Sequence, residues 1–121
     1  MLTVLTRCNK RPKSLKRNQE SLQAQSDPGF EQILINDGQS RGYLWANTAI
    51  ANNCLSASGQ YIYILDDDDY LICDTFVEKL RTITHCDPDV IIVKGYLNDI
   101  VSPRIWREDP ERAKIGAPNF I

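Results

Sequence analysis

Four consecutive aspartates follow a short apolar and aromatic segment in this chain. The segment YIYIL, residues 61–65, is typical of a strand, and Asp66, Asp67, Asp68 and Asp69 come directly after it. Two like charges about 4 Å apart repel by roughly 4 kcal/mol at an effective dielectric near 20. A bound divalent cation explains such a cluster most simply, because Mg²⁺ and Mn²⁺ prefer oxygen ligands.

Side-chain alternation selects two of these carboxylates as the metal ligands. Neighbouring side chains of an extended chain point to opposite sides, so Asp66 and Asp68 share one side. This D-x-D arrangement leaves the other coordination positions of Mg²⁺ or Mn²⁺ free for water and a diphosphate. The alternative is a solvated acidic loop, in which Asp69 and Asp74 favour the N-terminus of the following helix.

Two further strand ends carry polar residues. The apolar run MLTVLT ends in Thr6 and is followed by Arg7, and FEQILIND ends in Asp37. Ligands of open parallel sheets bind beyond the carboxyl ends of the strands. We therefore expect these side chains to converge with the aspartates on one cleft. The alternative for Asp37 is a turn-forming role before Gly38.

Strand and helix patterns alternate along the chain. This alternation predicts an α/β fold with a Rossmann-like, mostly parallel sheet and flanking helices. The predicted strands are 1–6, 30–37, 61–65 and 89–97, and the predicted helices are 12–26, 43–58 and 73–84.

Local patterns predict details of these elements. The run ILI at 33–35 predicts a strand buried on both faces. Gly59 is a natural stop for the second helix. Thr75 and Glu78 stand three residues apart and predict a capping box for the third. Apolar residues of the second helix recur close to helical spacing, at Leu44, Ala46, Ile50, Cys54 and Leu55.

Composition and charge exclude several classes of protein. The 121 residues suffice for one domain with a core, and the net charge of -2 argues against a general nucleic-acid binder. No targeting signal and no apolar run of about 20 residues occurs, so we predict a cytoplasmic protein without a transmembrane segment. The four cysteines lack metal-site spacing and are predicted to be reduced, buried thiols.

Three blocks of the chain resemble a known family. TVLTRCNKRP, LQAQSDPGFEQILINDGQS and ASGQYIYILDDDDYL look like the amino-terminal half of a family 2 glycosyltransferase with the GT-A fold. That family typically reads T-x-Y-N-R-P, V-D-D-G-S and A-x-G-E-Y-I-x-F-L-D-x-D-D in the same order and spacing. The likeness covers about residues 2–80. The chain departs from the pattern at Cys8 (usually aromatic), Lys10 (an extra residue), Asn36 (usually an acid) and Gln60 (usually Glu).

The resemblance implies a site for a nucleotide diphosphate sugar donor with Mg²⁺ or Mn²⁺. Arg7 and Arg41 are candidate phosphate or base contacts, with a solvated arginine as the alternative. The other matched positions are Thr6 and Asp37 for the nucleoside, Asp67 near the ribose, Asp68 as the direct metal ligand and Asp66 as the first acid of the D-x-D.

The implied activity is metal-dependent glycosyl transfer to an acceptor hydroxyl. The cation would stabilise the leaving nucleoside diphosphate, and in an inverting enzyme a carboxylate would take the hydroxyl proton. The acceptor and the catalytic residue stay unknown, because the family's acceptor half lies beyond the matched residues. One alternative is a non-catalytic nucleotide-sugar or metal-binding module that lacks the acceptor half. Another is a purely structural α/β domain with an acidic rim.

The predicted domain organisation has two parts. Residues 1–97 form the nucleotide-sugar-binding domain, and the proline-broken residues 98–121 form an irregular tail that begins an acceptor region or covers a sheet edge. An uncovered strand edge and an apolar face tend to recruit a partner. We therefore expect a homo-oligomer, or contact with another chain, through residues 90–121.

Overall fold

The computed structural model of the chain describes residues 1–93. The chain divides into two units, Met1–His85 and Cys86–Ile121, and the helices and strands described below all lie in the first. The predicted domain boundary at 97 and 98 lies outside the described residues. So does most of the segment from 90 to 121 that we expect to mediate self-association.

Three strands and three helices alternate in the first unit. Their order and type match the sequence prediction and confirm the α/β class. Of the predicted fourth strand, residues 89–93 form no helix or strand, and the remainder lies outside the described residues. The elements are β1 (Leu2–Cys8), α1 (Pro12–Gln23), β2 (Phe30–Asn36), α2 (Tyr43–Cys54), β3 (Tyr61–Ile64) and α3 (Phe76–Thr84).

The described strands form one parallel sheet in the order β2-β1-β3. Val4 of the central strand pairs with Gln32 on one side and with Tyr63 on the other. Val4 and Leu5 are fully buried, so the core is centred on β1. Because all three strands run in the same direction, their carboxyl ends lie at one edge of the sheet.

The flanking strands are less buried than the central one. Ile35 of β2 is buried, but Leu34 is 45% exposed, and Ile62 and Ile64 of β3 are also exposed. The prediction that the ILI run is buried on both faces is therefore wrong at Leu34. In the described sheet β2 and β3 each have one neighbouring strand, whereas β1 has two, and burial concentrates on β1.

Helix α3 begins without the predicted capping box. Thr75 is the N-cap residue but makes no side-chain cap hydrogen bond. The Glu78 carboxylate instead accepts a hydrogen bond from the Ser26 hydroxyl (2.9 Å), and Gln25 Oε1 accepts one from the Val77 N–H (3.1 Å). Long-range partners at the end of α1 thus occupy the groups that a local cap would have used.

No residue of helix α2 is fully buried. Leu44 is highly exposed, but Ile50 and Cys54 are only partly exposed. The helix ends at Cys54, so Gly59 is not its stop. A Cβ on Gly59 would lie 2.4 Å from the Thr3 backbone nitrogen, and glycine is required there by the close approach to β1.

The four cysteines are free, as predicted, but only Cys8 is buried, and Cys73 and Cys86 are exposed. The prediction of buried thiols is therefore confirmed for Cys8 alone, since Cys54 is partly exposed. Within residues 1–93, no helix combines the length and the apolar character needed to cross a membrane.

Candidate functional site

A cleft of about 330 Å³ lies at the carboxyl edge of the sheet. Residues from the ends of all three strands line it, which confirms the predicted convergence. The lining residues are Arg7, Cys8, Asn9 and Arg11 after β1, Asp37, Ser40, Gly42, Tyr43, Trp45 and Ala46 after β2, and Asp66, Asp67 and Asp68 after β3.

Backbone hydrogen bonds fix the aspartate loop against β1. The Leu65 N–H donates to the Leu5 carbonyl (3.0 Å), and the Asp67 N–H donates to the Arg7 carbonyl (3.2 Å). These bonds continue the parallel pairing past the end of β3. The Asp69 N–H then donates to the carbonyl of Asp66 (2.9 Å), so the chain turns back at this point.

The buried residue Asn18 of α1 anchors this turn through its side-chain amide. Its Nδ2 donates to the carbonyls of Asp66 and Asp69, both at 3.0 Å. Its Oδ1 accepts a hydrogen bond from Gln32 Nε2 of β2 (2.8 Å). One fully buried amide therefore links the aspartate turn to both a helix and a strand.

Two further polar residues, Ser21 of α1 and Gln25 just after the helix, bind the chain that follows the turn. Ser21 Oγ accepts a hydrogen bond from the Leu71 N–H (3.0 Å), and Gln25 Nε2 donates to the Cys73 carbonyl (2.7 Å). Residues three and four apart lie on one side of a helix. This side of α1 thus serves as a polar scaffold for the loop that carries the aspartates.

Three carboxylates of the loop lie close enough to share a cation. One oxygen each of Asp66, Asp68 and Asp69 lies within 4.8 Å of the other two. Both Asp66 oxygens accept hydrogen bonds from Arg7, and this pairing raises the pKa of the guanidinium. Asp68 is the more available ligand, with 55% of its side chain exposed. The donor set is all oxygen and suits a hard divalent ion, and it adds Asp69 to the predicted pair.

The Asp69 carboxyl has a raised pKa. Partial desolvation is the main cause, and the negative charges of Asp68 and Asp66 add to it. Bringing a cation to these three side chains would relieve the repulsion that opposes their ionisation.

Asp67 is buried and is not one of the three carboxylates that lie close enough to share a cation. Its Oδ2 accepts a hydrogen bond from the Asn9 N–H (2.8 Å), and its Oδ1 accepts one from Arg11 Nη1 (3.2 Å). The carboxylate orders the turn between β1 and α1. Burial, and then the charge of Asp67, raise the pKa of the Cys8 thiol, which disfavours a nucleophilic thiolate there.

Asp37 both shapes its loop and lines the cleft. Its carboxylate accepts hydrogen bonds from the Arg41 N–H (3.0 Å) and Arg41 Nε (3.1 Å). The Arg41 guanidinium lies over the Trp45 ring, 3.5 Å from the centroid. Arg41 is therefore stacked and paired, although 41% of its side chain stays exposed, and Asp37 has the turn-forming role.

The structure brings five of the seven predicted residues to the cleft wall and leaves Thr6 and Arg41 out of it. Thr6 is fully buried, and its hydroxyl accepts a hydrogen bond from Gln32 Nε2 (2.8 Å). Its side chain faces the α1 scaffold. Arg41 adjoins the cleft through Asp37 and Trp45.

Sequence reasoning missed several residues that build the site. Arg11 could have been found, since a cation directly after the first strand end is a natural partner for the aspartates. Asn18 gives no such signal, because a polar residue on a helix is usually solvent-facing. Tyr43 and Trp45 were assigned to a helix and not to the cleft.

Comparisons of the chain with protein-family models, with curated proteins and with solved structures each found no match. The fold class stands on the parallel sheet and its helices. The function proposed below rests on the cleft residues and on the motif resemblance.

Proposed function

We propose that the cleft binds a nucleoside diphosphate sugar together with Mg²⁺ or Mn²⁺, and that the chain carries the donor site of a glycosyltransferase. The observation that carries this proposal is the meeting of three carboxylates and two arginines at the edge where Asp37 also lies. The motif order along the chain supports it independently.

The charge distribution suits a diphosphate bound through a cation. Asp66, Asp68 and Asp69 are the candidate ligands, with the exposed Asp68 as the main one. Mg²⁺ usually takes only one or two protein carboxylates, which leaves positions for phosphate oxygens. Arg7 and Arg11 line the same cleft and carry the donors that match phosphate oxygens. A carboxylate cluster without neighbouring arginines would repel a diphosphate.

The opposite wall of the cleft suits a nucleoside. Asp37 offers carboxylate oxygens to a base N–H, and Tyr43 and Trp45 add aromatic surface beside it. Cys8, where the family usually has an aromatic residue, supplies no ring. A volume of about 330 Å³ is at the lower end of the usual range for small-molecule sites.

The loop carboxylates would hold the cation, which would supply positive charge to stabilise the leaving diphosphate. Arg7 keeps Asp66 oriented, and Asn18 fixes the backbone that presents the carboxylates. Groups held in place before binding lose less entropy when the donor arrives.

Calorimetric titration of UDP, GDP and ADP with Mn²⁺ or with EDTA tests donor binding. We expect Mn²⁺ to strengthen binding of one nucleotide, and Asp68→Asn to weaken it by roughly ten- to hundredfold, the value of a hydrogen bond or ligand to a charged group. Asp74→Asn is the matched control, since Asp74 is exposed and lies outside the cleft. Equal affinity of every nucleotide in Mn²⁺ and EDTA would contradict the proposal.

A transfer and hydrolysis assay with a panel of nucleotide sugars separates the enzyme from the non-catalytic module. Release of nucleoside diphosphate that requires Mn²⁺ and is lost in Asp68→Asn supports glycosyl transfer. Metal-dependent binding without any release supports a binding module instead.

A further inference from the structure

Arg11 contacts two aspartates of the loop, one buried and one exposed. It is the N-cap residue of α1, and its side chain is about half exposed. Its Nη1 donates to Asp68 Oδ2 at 2.5 Å and to Asp67 Oδ1 at 3.2 Å. Asp68 is exposed, whereas Asp67 is buried and also bound by the Asn9 N–H. The two bonds of Arg11 therefore differ in how easily they exchange.

A divalent cation and Arg11 compete for Asp68. A hard ion binds carboxylate oxygens directly at about 2.0–2.2 Å. The guanidinium lies at hydrogen-bond distance from one of these oxygens, and its positive charge repels the ion at such a short range. Binding of the ion at Asp68 thus favours release of that oxygen by Arg11.

Once released, the guanidinium remains next to any phosphate that the ion holds. A phosphate oxygen on the same ion lies within about 4 Å of the Asp68 oxygen, the sum of two metal–oxygen distances. Arg11 can keep its bond to Asp67 while it turns toward that oxygen, since the anchoring carboxylate is buried and fixed. Guanidinium and phosphate then match in charge and geometry.

We propose that Arg11 is an exchangeable ligand: it pairs with Asp68 until a divalent cation takes that carboxylate, and it then binds the diphosphate of the donor. This inference rests on the proposed function. It predicts that one side chain weakens binding of the cation alone and strengthens binding of the nucleotide.

The test measures two affinities in the same variants. Mn²⁺ binding without nucleotide is followed by electron paramagnetic resonance, and UDP and GDP binding at saturating Mn²⁺ by calorimetry. We expect Arg11→Gln to tighten Mn²⁺ binding by about three- to fivefold, the scale of a partly exposed charge pair. We expect the same variant to weaken nucleotide binding by about tenfold or more. Arg11→Lys should restore part of both effects.

The control is Lys16→Gln on the same helix, where the lysine is highly exposed and pairs only loosely with Glu20 at 3.7 Å. Shifts in opposite directions in Arg11→Gln, absent from the control, support the inference. Losses of both affinities together with a lower melting temperature indicate a structural arginine and overturn it. Mn²⁺ affinity that is unchanged in Arg11→Gln also overturns the inference, whatever the nucleotide affinity of that variant. A wild-type chain that binds Mn²⁺ but no nucleotide overturns the proposed function instead.

Discussion

Replacement of Asn18 by alanine should both destabilise the first unit and weaken the metal site. The side chain makes three hydrogen bonds from a fully buried position, two to the carbonyls of Asp66 and Asp69 and one from Gln32. Alanine removes all three and leaves the turn without its link to α1. Water can reach the two carbonyls only in part, because these bonds are partly buried.

The size of the effect follows from these bonds. A typical hydrogen bond contributes about 0.5–1.5 kcal/mol net, and loss of three gives about 1.5–4.5 kcal/mol. Gln32 keeps its bond to the Thr6 hydroxyl, which limits the loss on that side. We therefore expect the free energy of unfolding to fall by about 2–3 kcal/mol. A domain of this size loses at least about 8 °C in melting temperature from such a change.

Urea denaturation and Mn²⁺ titration of the same samples test this prediction. Mn²⁺ affinity should fall as well, at a temperature where the variant is still folded, since the carboxylates lose their fixed backbone. Asn47→Ala on α2 is the control, because Asn47 is exposed and its loss should change stability by less than about 0.5 kcal/mol. An Asn18→Ala protein as stable as the control would refute the scaffold role. A destabilised protein with unchanged Mn²⁺ affinity would refute the link to the metal site.

Three further variants test separate contacts. Asp69→Asn should raise the melting temperature by about 2 °C at pH 7, because an ionised carboxyl with a raised pKa destabilises the folded state. The gain should vanish near pH 3, where the wild-type carboxyl is protonated in both the folded and the unfolded state. Asp37→Ala should weaken nucleotide binding by roughly tenfold and also destabilise the loop, since Arg41 loses its partner; a pure loss of stability would assign Asp37 to the turn alone. Gly59→Ala should lower the free energy of unfolding by about 1–3 kcal/mol, because the new Cβ would meet the Thr3 backbone. A urea midpoint equal to that of the wild type would contradict this.

The order of the elements could be read from the sequence because each has a clear local pattern. Apolar runs such as YIYIL predict strands, and the structure has a strand at that place. Convergence of the strand ends followed from parallel pairing alone. These features depend on residues close in the chain, and pattern reasoning handles such features well.

Features that depend on distant partners could not be read in this way. Asn18 lies 48 and 51 residues from the carbonyls that it binds, and no local pattern connects them. The capping box failed for the same reason, because Ser26 approaches Glu78 from 52 residues away. Helix α2 shows a different limit, since helical spacing of apolar residues does not establish how deeply each is buried: Leu44 is highly exposed, whereas Ile50 is only partly exposed.

The most direct test of the proposed donor site locates the cation on the chain. Amide resonances of the ¹⁵N-labelled protein are followed while substoichiometric Mn²⁺ is added with UDP or GDP present. We predict selective broadening of the amides of residues 66–69 and of Asp37 and Gly38, with those of α3 beyond Lys79 unaffected. Uniform broadening, or broadening centred on other acidic residues, would contradict a metal and nucleotide site at the carboxyl edge of the sheet.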